Sequence, residues 1–291
     1  MTKKRIIGMI LVKGKVAVQS FGFQRYLPIG RPEIIARYLD DWGIDEIILL
    51  DIDAAKEGRV ISPNVVQEVS QNCFVPVTAG GGITTAKDVR ESLSAGADKI
   101  AINSMAFDHL GEVGRLSYVY GRQCIVAVID VQKTEDGSGR IYRHTQRDCS
   151  DITPQDWARE LEQSGVGEIL IHSVDKDGTL SGFDMDLVAP IADVVKIPLI
   201  VAGGAGHPDH FRKILDSDYV SAAAAGNYFN HSEHCVAVTK RYLIQHGIDV
   251  RFDSLTEYES HALEDRRGRI VRLDDAVLAE MVFQKIVKEV I

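Results

Sequence analysis

Acidic side chains stand where several short apolar segments of the chain end. Asp130 ends the run IVAVID, Asp51 and Asp53 follow a second run, and Asp175 and Asp177 follow a third. A carboxyl group buried at such a position has a raised pKa and transfers protons near neutral pH. We therefore expect Asp130 to be the catalytic acid or base, and we expect Asp175 and Asp177 to be catalytic as well. The alternative for any single one of these carboxylates is capping a loop or forming an ion pair.

Two glycine-rich turns predict phosphate binding. In each case two polar or small residues follow at the end of the next apolar segment. Glycine lets backbone amides approach an anion closely, whereas a plain tight turn needs glycine only for its dihedral angles. Two matching turns favour anion binding, either by a ligand with a phosphate at each end or by a shorter ligand with one. The first group is Gly81, Gly82, Asn103 and Ser104, and the second is Gly203, Gly204, Ala225 and Gly226.

Four charged residues open apolar segments instead of ending them. Arg5, Glu46, Lys99 and Glu168 each occupy the first position of such a segment. If these segments are parallel strands, the two cations and two anions can close a ring at one end of the sheet. Charged residues often border strands, so such a ring can serve stability alone.

A possible metal motif is weak. His231, His234 and Cys235 are close in sequence, but no second group of ligands accompanies them. A protein zinc site needs three or four ligands, so we expect no metal and no cofactor.

Eight apolar segments must position these residues. They are continuous instead of alternating, which is typical of parallel strands covered by helices on both faces. Helix-start signals lie between them: Ser62-Pro63 before a helix at 64–71, Thr85 with Asp88, and His207-Pro208 before a helix at 209–215. The predicted strands are 5–12, 46–51, 74–78, 99–103, 124–130, 168–172, 199–202 and 219–224.

The chain also repeats itself at an offset of 122 residues. The segment 76–82 (PVTAGGG) matches 198–204 (PLIVAGG), and Asp53 matches Asp175. Eight strands in two similar halves predict an α/β fold, a (β/α)8 TIM barrel with a two-fold half-barrel repeat. An open doubly wound sheet is the alternative, but the chain has no clear dinucleotide-binding fingerprint.

Two domains are predicted from the length of the chain. The barrel is expected to occupy residues 1–247, and residues 248–291 form a C-terminal extension. The apolar spacing in 273–291 predicts a helix, either packed on the barrel or used for docking or oligomerisation.

Composition excludes several classes of protein. Against 33 Lys and Arg stand 42 Asp and Glu, which gives a net charge of −9 and argues against nucleic-acid binding. No apolar run has the roughly 20 residues of a membrane span, and no signal peptide is evident. The four cysteines form no CxxC pair, so we expect a cytoplasmic protein with reduced thiols.

Over residues 3–250 the chain resembles the cyclase subunit of imidazole glycerol phosphate synthase. In that family a glutaminase partner releases ammonia, which passes a charged gate and travels along the barrel core to a bis-phosphate substrate. The resemblance implies that Arg5, Glu46, Lys99 and Glu168 are the gate and that Asp98 lies at the partner interface. The motifs are RII at 5–7, DEIILLDID at 45–53, GGGI at 80–83, AGADKIAIN at 95–103, GEILIHSVDKDGT at 167–179 and GGAG at 203–206.

Two departures from that family stand in the first half of the chain. The family uses a catalytic aspartate at the end of strand one and another at the end of strand five. The second matches Asp130, but the first falls on Leu11, which cannot transfer a proton. The family's phosphate-gripping lysine falls on Gln19.

With these departures, the chain is similar to divergent paralogues of the subunit that occur with surface-polysaccharide genes. Leucine replaces the first aspartate there too, and the loop at 21–30 (FGFQRYLPIG) matches. This resemblance implies a glutaminase and an ATP-dependent sugar amidotransferase as partners, and conversion of an acetamido group to an acetamidine in lipopolysaccharide or flagellin glycans. The alternatives are an active cyclase (a lyase) of histidine biosynthesis and a non-catalytic phosphate-binding scaffold.

Overall fold

A computed structural model describes residues 3–254, apart from 136, 232 and 233. The predicted helix at 273–291 lies outside the described residues. The strands are β1 (Arg5–Lys13), β2 (Val16–Phe21), β3 (Arg25–Gly30), β4 (Glu46–Asp51), β5 (Val77–Gly80), β6 (Lys99–Ile102), β7 (Ile125–Lys133), β8 (Gly139–Arg143), β9 (Asp148–Cys149), β10 (Glu168–Ser173), β11 (Leu199–Ala202) and β12 (Val220–Ala225). The helices are α1 (Pro32–Asp41), α2 (Pro63–Ser70), α3 (Ala86–Ser94), α4 (Ser104–Asp108), α5 (Leu110–Tyr120), α6 (Pro154–Ser164), α7 (Met185–Ala192), α8 (Pro208–Leu215) and α9 (Cys235–Gln245).

Eight parallel strands close into a barrel, which confirms the predicted fold class. Their order is β1, β4, β5, β6, β7, β10, β11 and β12, and β12 pairs back onto β1 with Arg5 opposite Ala222. The two halves meet at β6–β7 and at β12–β1, so each half supplies four consecutive barrel strands. This arrangement follows the repeat in the sequence.

The bounds of the predicted strands are mostly right. Glu46–Asp51 and Leu199–Ala202 are identical to the observed strands, whereas the strand predicted at 74–78 is observed at Val77–Gly80. The difference arises because Phe74 is fully exposed in the turn before the strand.

Two of the predicted helix starts have the expected hydrogen bonds and one does not. Thr85 and Asp88 form a reciprocal capping box at α3, and the side chain of His207 accepts a hydrogen bond from Asp209 N at α8. Ser62 is in the capping position of α2 but makes no capping hydrogen bond, so Pro63 alone favours that start.

Each half also carries a β-hairpin that the sequence did not predict. β1 turns at 14–15 into β2, which pairs antiparallel with β3, and β7 turns into β8 in the same way. Both hairpins extend from the carboxyl ends of the barrel strands, where a (β/α)8 barrel places its site.

The described chain continues past the predicted domain boundary at 247, which stays a prediction. Ile248 and Val250 are buried, and Val250 bridges to Lys4 beside β1. No helix in the described part of the chain has the length and apolar character that a membrane span requires.

Lys240 links α9 to the amino face of the barrel. It is 1% exposed on α9, and its Nζ donates to the carbonyl of Gly43 at 2.5 Å and to Asp45 Oδ1 at 2.6 Å. Burial lowers the Lys240 pKa, and the charge of Asp45 opposes that shift.

We predict that Lys240→Ala lowers the free energy of unfolding by about 3–5 kcal/mol, because the buried carboxylate of Asp45 then keeps, among the described residues, only the Ile6 N–H and the half-exposed Arg251 as partners. Urea denaturation measures the change. Lys213→Ala is the matched control, since Lys213 is largely exposed and its ion pair with Asp209 contributes about 0–1 kcal/mol. Equal losses in the two variants would contradict the assignment.

Candidate functional site

The four charged residues at the amino ends of the strands form a closed ring. Arg5, Glu46, Lys99 and Glu168 are the first residues of β1, β4, β6 and β10. Arg5 bonds Glu46 at 2.5 Å and Glu168 at 2.8 Å. Lys99 bonds Glu46 at 3.1 Å and Glu168 at 2.8 Å. Each cation therefore contacts both anions.

The ring is mostly buried, and its electrostatics depend on the pairing. Burial lowers the pKa of Arg5, but its hydrogen bonds and charge interactions with Glu168 and Glu46 outweigh burial and hold the pKa above its ordinary value. Burial acts to raise the pKa of Glu168, but Arg5 and Lys99 keep it below its usual range. Arg5 and Glu168 therefore stay charged at neutral pH, and the four paired side chains close the amino end.

Between this ring and the other end, the barrel interior is apolar on the strands that carry the site. Alternate residues of a strand point to the same face, so the inward positions can be read along each strand. On β1 the inward residues after Arg5 are Ile7, Met9 and Leu11, and on β10 those after Glu168 are Leu170 and then His172. On β7, which has no ring residue, they are Val126, Val128 and then Asp130.

At the carboxyl end the structure brings Asp130 and Asp177 together around a histidine. His172 Nδ1 lies 3.9 Å from Asp130 Oδ1, and its Nε2 lies 3.6 Å from Asp177 Oδ1. Asn103 Nδ2 donates to Asp130 at 2.8 Å, and the hydroxyl of Ser20 donates to Asp177 at 2.6 Å. Asp130 and His172 are buried and Asp177 is largely so, which gives a connected polar network.

Burial and mutual charge set the protonation of this network. Burial raises the pKa of Asp130 to about 6, while His172 and the hydrogen bond from Asn103 act to lower it. Burial would lower the pKa of His172, but Asp177 and Asp130 hold it above its ordinary value. Burial opposes ionisation of Asp177 too, but His172 and Ser20 outweigh it and lower its pKa. Asp130 can therefore carry or release a proton near neutral pH.

The first glycine group opens onto a cavity of about 490 Å³ that Asp130 and His172 also line. Gly81, Gly82, Asn103 and Ser104 all contribute to its wall. Gly82 has φ of +65°, and a Cβ there would collide with the backbone carbonyl of Arg59. Glycine is therefore needed for the turn itself, whether or not an anion binds.

The second glycine group surrounds a much smaller space. Gly203, Gly204, Ala225 and Gly226 line a cavity of about 30 Å³, together with Leu11 and His172. That volume has room for about two water molecules.

Two other predicted site residues lie apart from these cavities. Asp175 is exposed, and its carboxylate accepts a hydrogen bond from the backbone N–H of Lys133 at 2.7 Å, so the structure does not bring it to Asp130. Asp98 is exposed at the amino end of β6, where it accepts a hydrogen bond from Val77 N at 2.8 Å.

The region of the weak metal motif has other contacts. Cys235 is buried, its thiol donates to the carbonyl of Phe229, and burial raises its pKa to about 12. The ring of His234 packs on Trp42 with centroids 5.5 Å apart. Among the described residues there is no group of three side chains that could hold a metal ion.

Sequence reasoning missed His172. It ends the apolar run EILIH in the way that Asp130 ends IVAVID, so the same criterion, a polar residue that closes a buried strand, would have found it. Ser20 was missed for a different reason, since its contact with Asp177 spans 157 residues of sequence.

Comparison with known proteins adds independent information. A family model described as "Histidine biosynthesis protein" matches residues 5–235. A protein of Streptococcus mutans serotype c (strain ATCC 700610 / UA159) described as imidazole glycerol phosphate synthase subunit HisF is 38% identical over 251 residues, 86% of this chain and 100% of that protein. A protein of Vibrio vulnificus (strain YJ016), provisionally described as imidazole glycerol phosphate synthase subunit hisF2, is 38% identical over 264 residues, 91% of this chain and 97% of that protein.

The geometry predicts how Asp130 titrates. Carboxyl ¹³C NMR should give Asp130 a midpoint near pH 6, and His172→Gln should raise that midpoint because the imidazolium lowers the pKa of Asp130. Unfolded Asp loses its proton near pH 3.9, so the stabilising contribution of this group is lost as pH rises from about 4 to 6. His210→Gln on the outer helix α8 is the control and should leave the midpoint unchanged. A midpoint that falls or stays in His172→Gln would contradict the network.

Proposed function

The chain belongs to the histidine biosynthesis protein family, and on that premise we propose that it is the ammonia-conducting barrel subunit of a glutamine-dependent synthase. The observation that carries the proposal is the closed ring of Arg5, Glu46, Lys99 and Glu168 in front of an apolar interior. In this role the ring is a gate between a glutaminase and the cavity at the carboxyl end.

The interior selects the form of ammonia that passes. Moving an ammonium ion into an apolar environment costs many kcal/mol, whereas neutral ammonia is small and pays no such charge penalty. Strands of about six residues at roughly 3.3 Å each give a path of about 20 Å. The gate opens on the Lys99 side: both cations contact both carboxylates, but the flexible ammonium of Lys99 is displaced more easily than the planar guanidinium of Arg5.

The amino face has features of a partner surface. Phe74 is 93% exposed in the turn before β5, and Tyr118 is 91% exposed near the end of α5. Aromatic side chains are enriched in protein interfaces, and Asp98 lies on the same face of the barrel. These residues support docking of the glutaminase over the ring.

The residues at the carboxyl end of the barrel indicate which protein consumes the ammonia. Leu11 faces the interior where the family has its first catalytic aspartate, so the acid–base pair is incomplete. We therefore assign the consuming step to an ATP-dependent sugar amidotransferase in surface-glycan biosynthesis. There ATP activates the oxygen of an acetamido group by forming an oxygen–phosphorus bond, the ammonia nitrogen bonds to the amide carbon, and the carbon–oxygen bond breaks so that the oxygen leaves on phosphorus, which yields a protonated acetamidine. The hairpin sequence at 21–30 supports this choice through its resemblance to paralogues of that kind.

A phosphorylated small molecule is assigned to the large cavity. The backbone turn at Gly81 and Gly82 and the side chains of Asn103 and Ser104 face it, and the cavity also holds Asp130. Such a ligand would lie where ammonia leaves the interior, so its binding can report that an acceptor is ready.

A second candidate function is the cyclase reaction itself. It is favoured by Asp130, whose pKa is raised to about 6 in the 490 Å³ cavity, and by His172 beside it. In this reading His172 takes the place of the missing carboxylate as the second proton-transfer group.

The gate predicts a selective loss. Lys99→Ala should lower glutamine-dependent amidation by the complex with its glutaminase at least about tenfold, which corresponds to about 1.4 kcal/mol. Amidation supported by external ammonium salts should change much less, because the acceptor site is intact. Arg115→Ala is the control, since Arg115 forms an exposed ion pair on α5. An unchanged glutamine-dependent rate in Lys99→Ala would refute the gate.

The second candidate is tested with this chain alone. An active cyclase should turn over the bis-phosphate substrate with saturating ammonium, and Asp130→Asn should abolish the turnover by removing the proton-transfer group. Lack of turnover in the wild-type chain eliminates this candidate and leaves the conducting role in place.

A further inference from the structure

A groove of about 290 Å³ lies on the flank of the barrel and shares no lining residue with the two cavities at the carboxyl end. One wall is the turn after β12, at Phe229 and His231. The other wall is α1 and the residue that follows it. The spacing of that wall, i, i+3, i+4 and i+7, is that of residues on one face of a helix. Its residues are Ile35, Tyr38, Leu39 and Trp42.

This face of α1 is apolar and partly open to solvent. Tyr38 is 53% exposed, and Ile34 beside it is 44% exposed. The rings of Tyr38 and Trp42 lie 5.9 Å apart, so the rim of the groove is aromatic. Another face of the same helix is already used, since Ala36 is buried against the barrel. An exposed cluster of large apolar side chains around a groove marks an interaction site.

The path of the chain after α9 leads to one end of this groove. Lys4 N donates to the carbonyl of Asp249 at 2.9 Å, and Phe252 packs on Ala237 of α9. The chain then crosses Gly43, where a Cβ would collide with the carbonyl of Asp253. Gly43 directly follows Trp42, so the described part of the chain stops beside the groove.

The sequence beyond 254 contains a segment that suits an apolar groove. Residues 255–272 are rich in charged side chains, whereas 12 of the 19 residues in 273–291 are apolar. Their spacing predicts a helix of about 28 Å, at 1.5 Å for each residue. A helix with so many apolar residues would expose a large patch to water if it did not pack on another surface.

The length of the connection favours this segment over a separate protein. As a random coil, the 18 residues 255–272 would span about 20–25 Å, whereas α1 is about 15 Å long. The segment 273–291 therefore stays within reach of the whole groove. Such a tether gives an effective concentration in the millimolar range, so even a weak contact is occupied. A separate partner has to bind from solution without that advantage.

We propose that the segment 273–291 of the same chain docks in this groove and packs its apolar side chains on Ile35, Tyr38 and Trp42. It is then an additional helix on the flank of the barrel, between α1 and the start of α9. Of the roles that the sequence leaves open for the extension, the proposal selects packing on the barrel. It does not depend on the ammonia-conducting role.

Photo-cross-linking of the full chain tests the proposal. With p-benzoylphenylalanine in place of Tyr38, irradiation should link this position to peptides from 273–291, and the product should keep the mass of one chain. Tyr118 is the matched position, since it is a 91% exposed tyrosine on α5. The same probe at Tyr118 should give no link to that segment.

A variant of the segment itself gives a second readout. Val277→Asp/Met281→Asp should lower the yield of the cross-link about tenfold, because charged side chains are costly in an apolar groove. Acrylamide should also quench Trp42 more strongly. Trp157, the other tryptophan of the chain, is 3% exposed and should respond little. Thr256→Asp/Ser260→Asp adds the same two charges to the connection and should change neither readout.

The form of the cross-link decides which occupant the groove has. A product with the mass of two chains assigns the groove to a second copy and overturns the proposal. Links from Tyr38 only to other segments overturn it too, as does a yield that the two aspartates at 277 and 281 leave unchanged. Far-UV circular dichroism of each variant distinguishes loss of docking from loss of folding.

Discussion

The need to pair buried charge at the amino end of the barrel governs much of this structure. Removing one partner from a buried ion pair leaves an uncompensated charge and costs several kcal/mol. The ring is therefore stable only when all four members are present and paired: Arg5, Glu46, Lys99 and Glu168. For the ring to close, four strands that are far apart in sequence must begin at similar positions along the barrel axis. Glu46 lies opposite Ile7, two residues beyond Arg5, and the long side chain of Arg5 spans that distance. The ring is thus a constraint on strand register, and in the proposed function it is the gate that ammonia must pass.

At the carboxyl end of the barrel the polar groups do not close a ring of ion pairs; they line a cavity instead. The half-barrel repeat supplies two equivalent glycine turns and two equivalent hairpins, but the residues on them break the symmetry. Leu11 removes one carboxylate, and Ser20 with Phe23 anchors one hairpin on Asp177. Asp130 and His172 line a cavity of about 490 Å³ at this end.

The sequence predicts those parts of the molecule that depend on local pattern. Strand Glu46–Asp51 and the capping box at Thr85 follow from neighbouring residues, and the repeat turns a list of strands into a closed barrel. The hairpins were not predicted because their position depends on contacts such as Ser20 with Asp177, 157 residues apart. The catalytic role of Asp175, drawn from its nearness to a strand end, stays a prediction; its side chain is exposed and accepts a hydrogen bond from the backbone of Lys133.

The central claim is that nitrogen travels from the glutaminase through the ring without mixing with the solvent, and an isotope competition tests it directly. The complete complex is supplied with glutamine labelled with ¹⁵N at the side-chain amide, in the presence of an excess of unlabelled ammonium, and the label in the product is measured by mass spectrometry. The account predicts product nitrogen that comes almost wholly from glutamine, whatever the concentration of external ammonium. A product whose label is diluted in proportion to the ammonium in solution would contradict it.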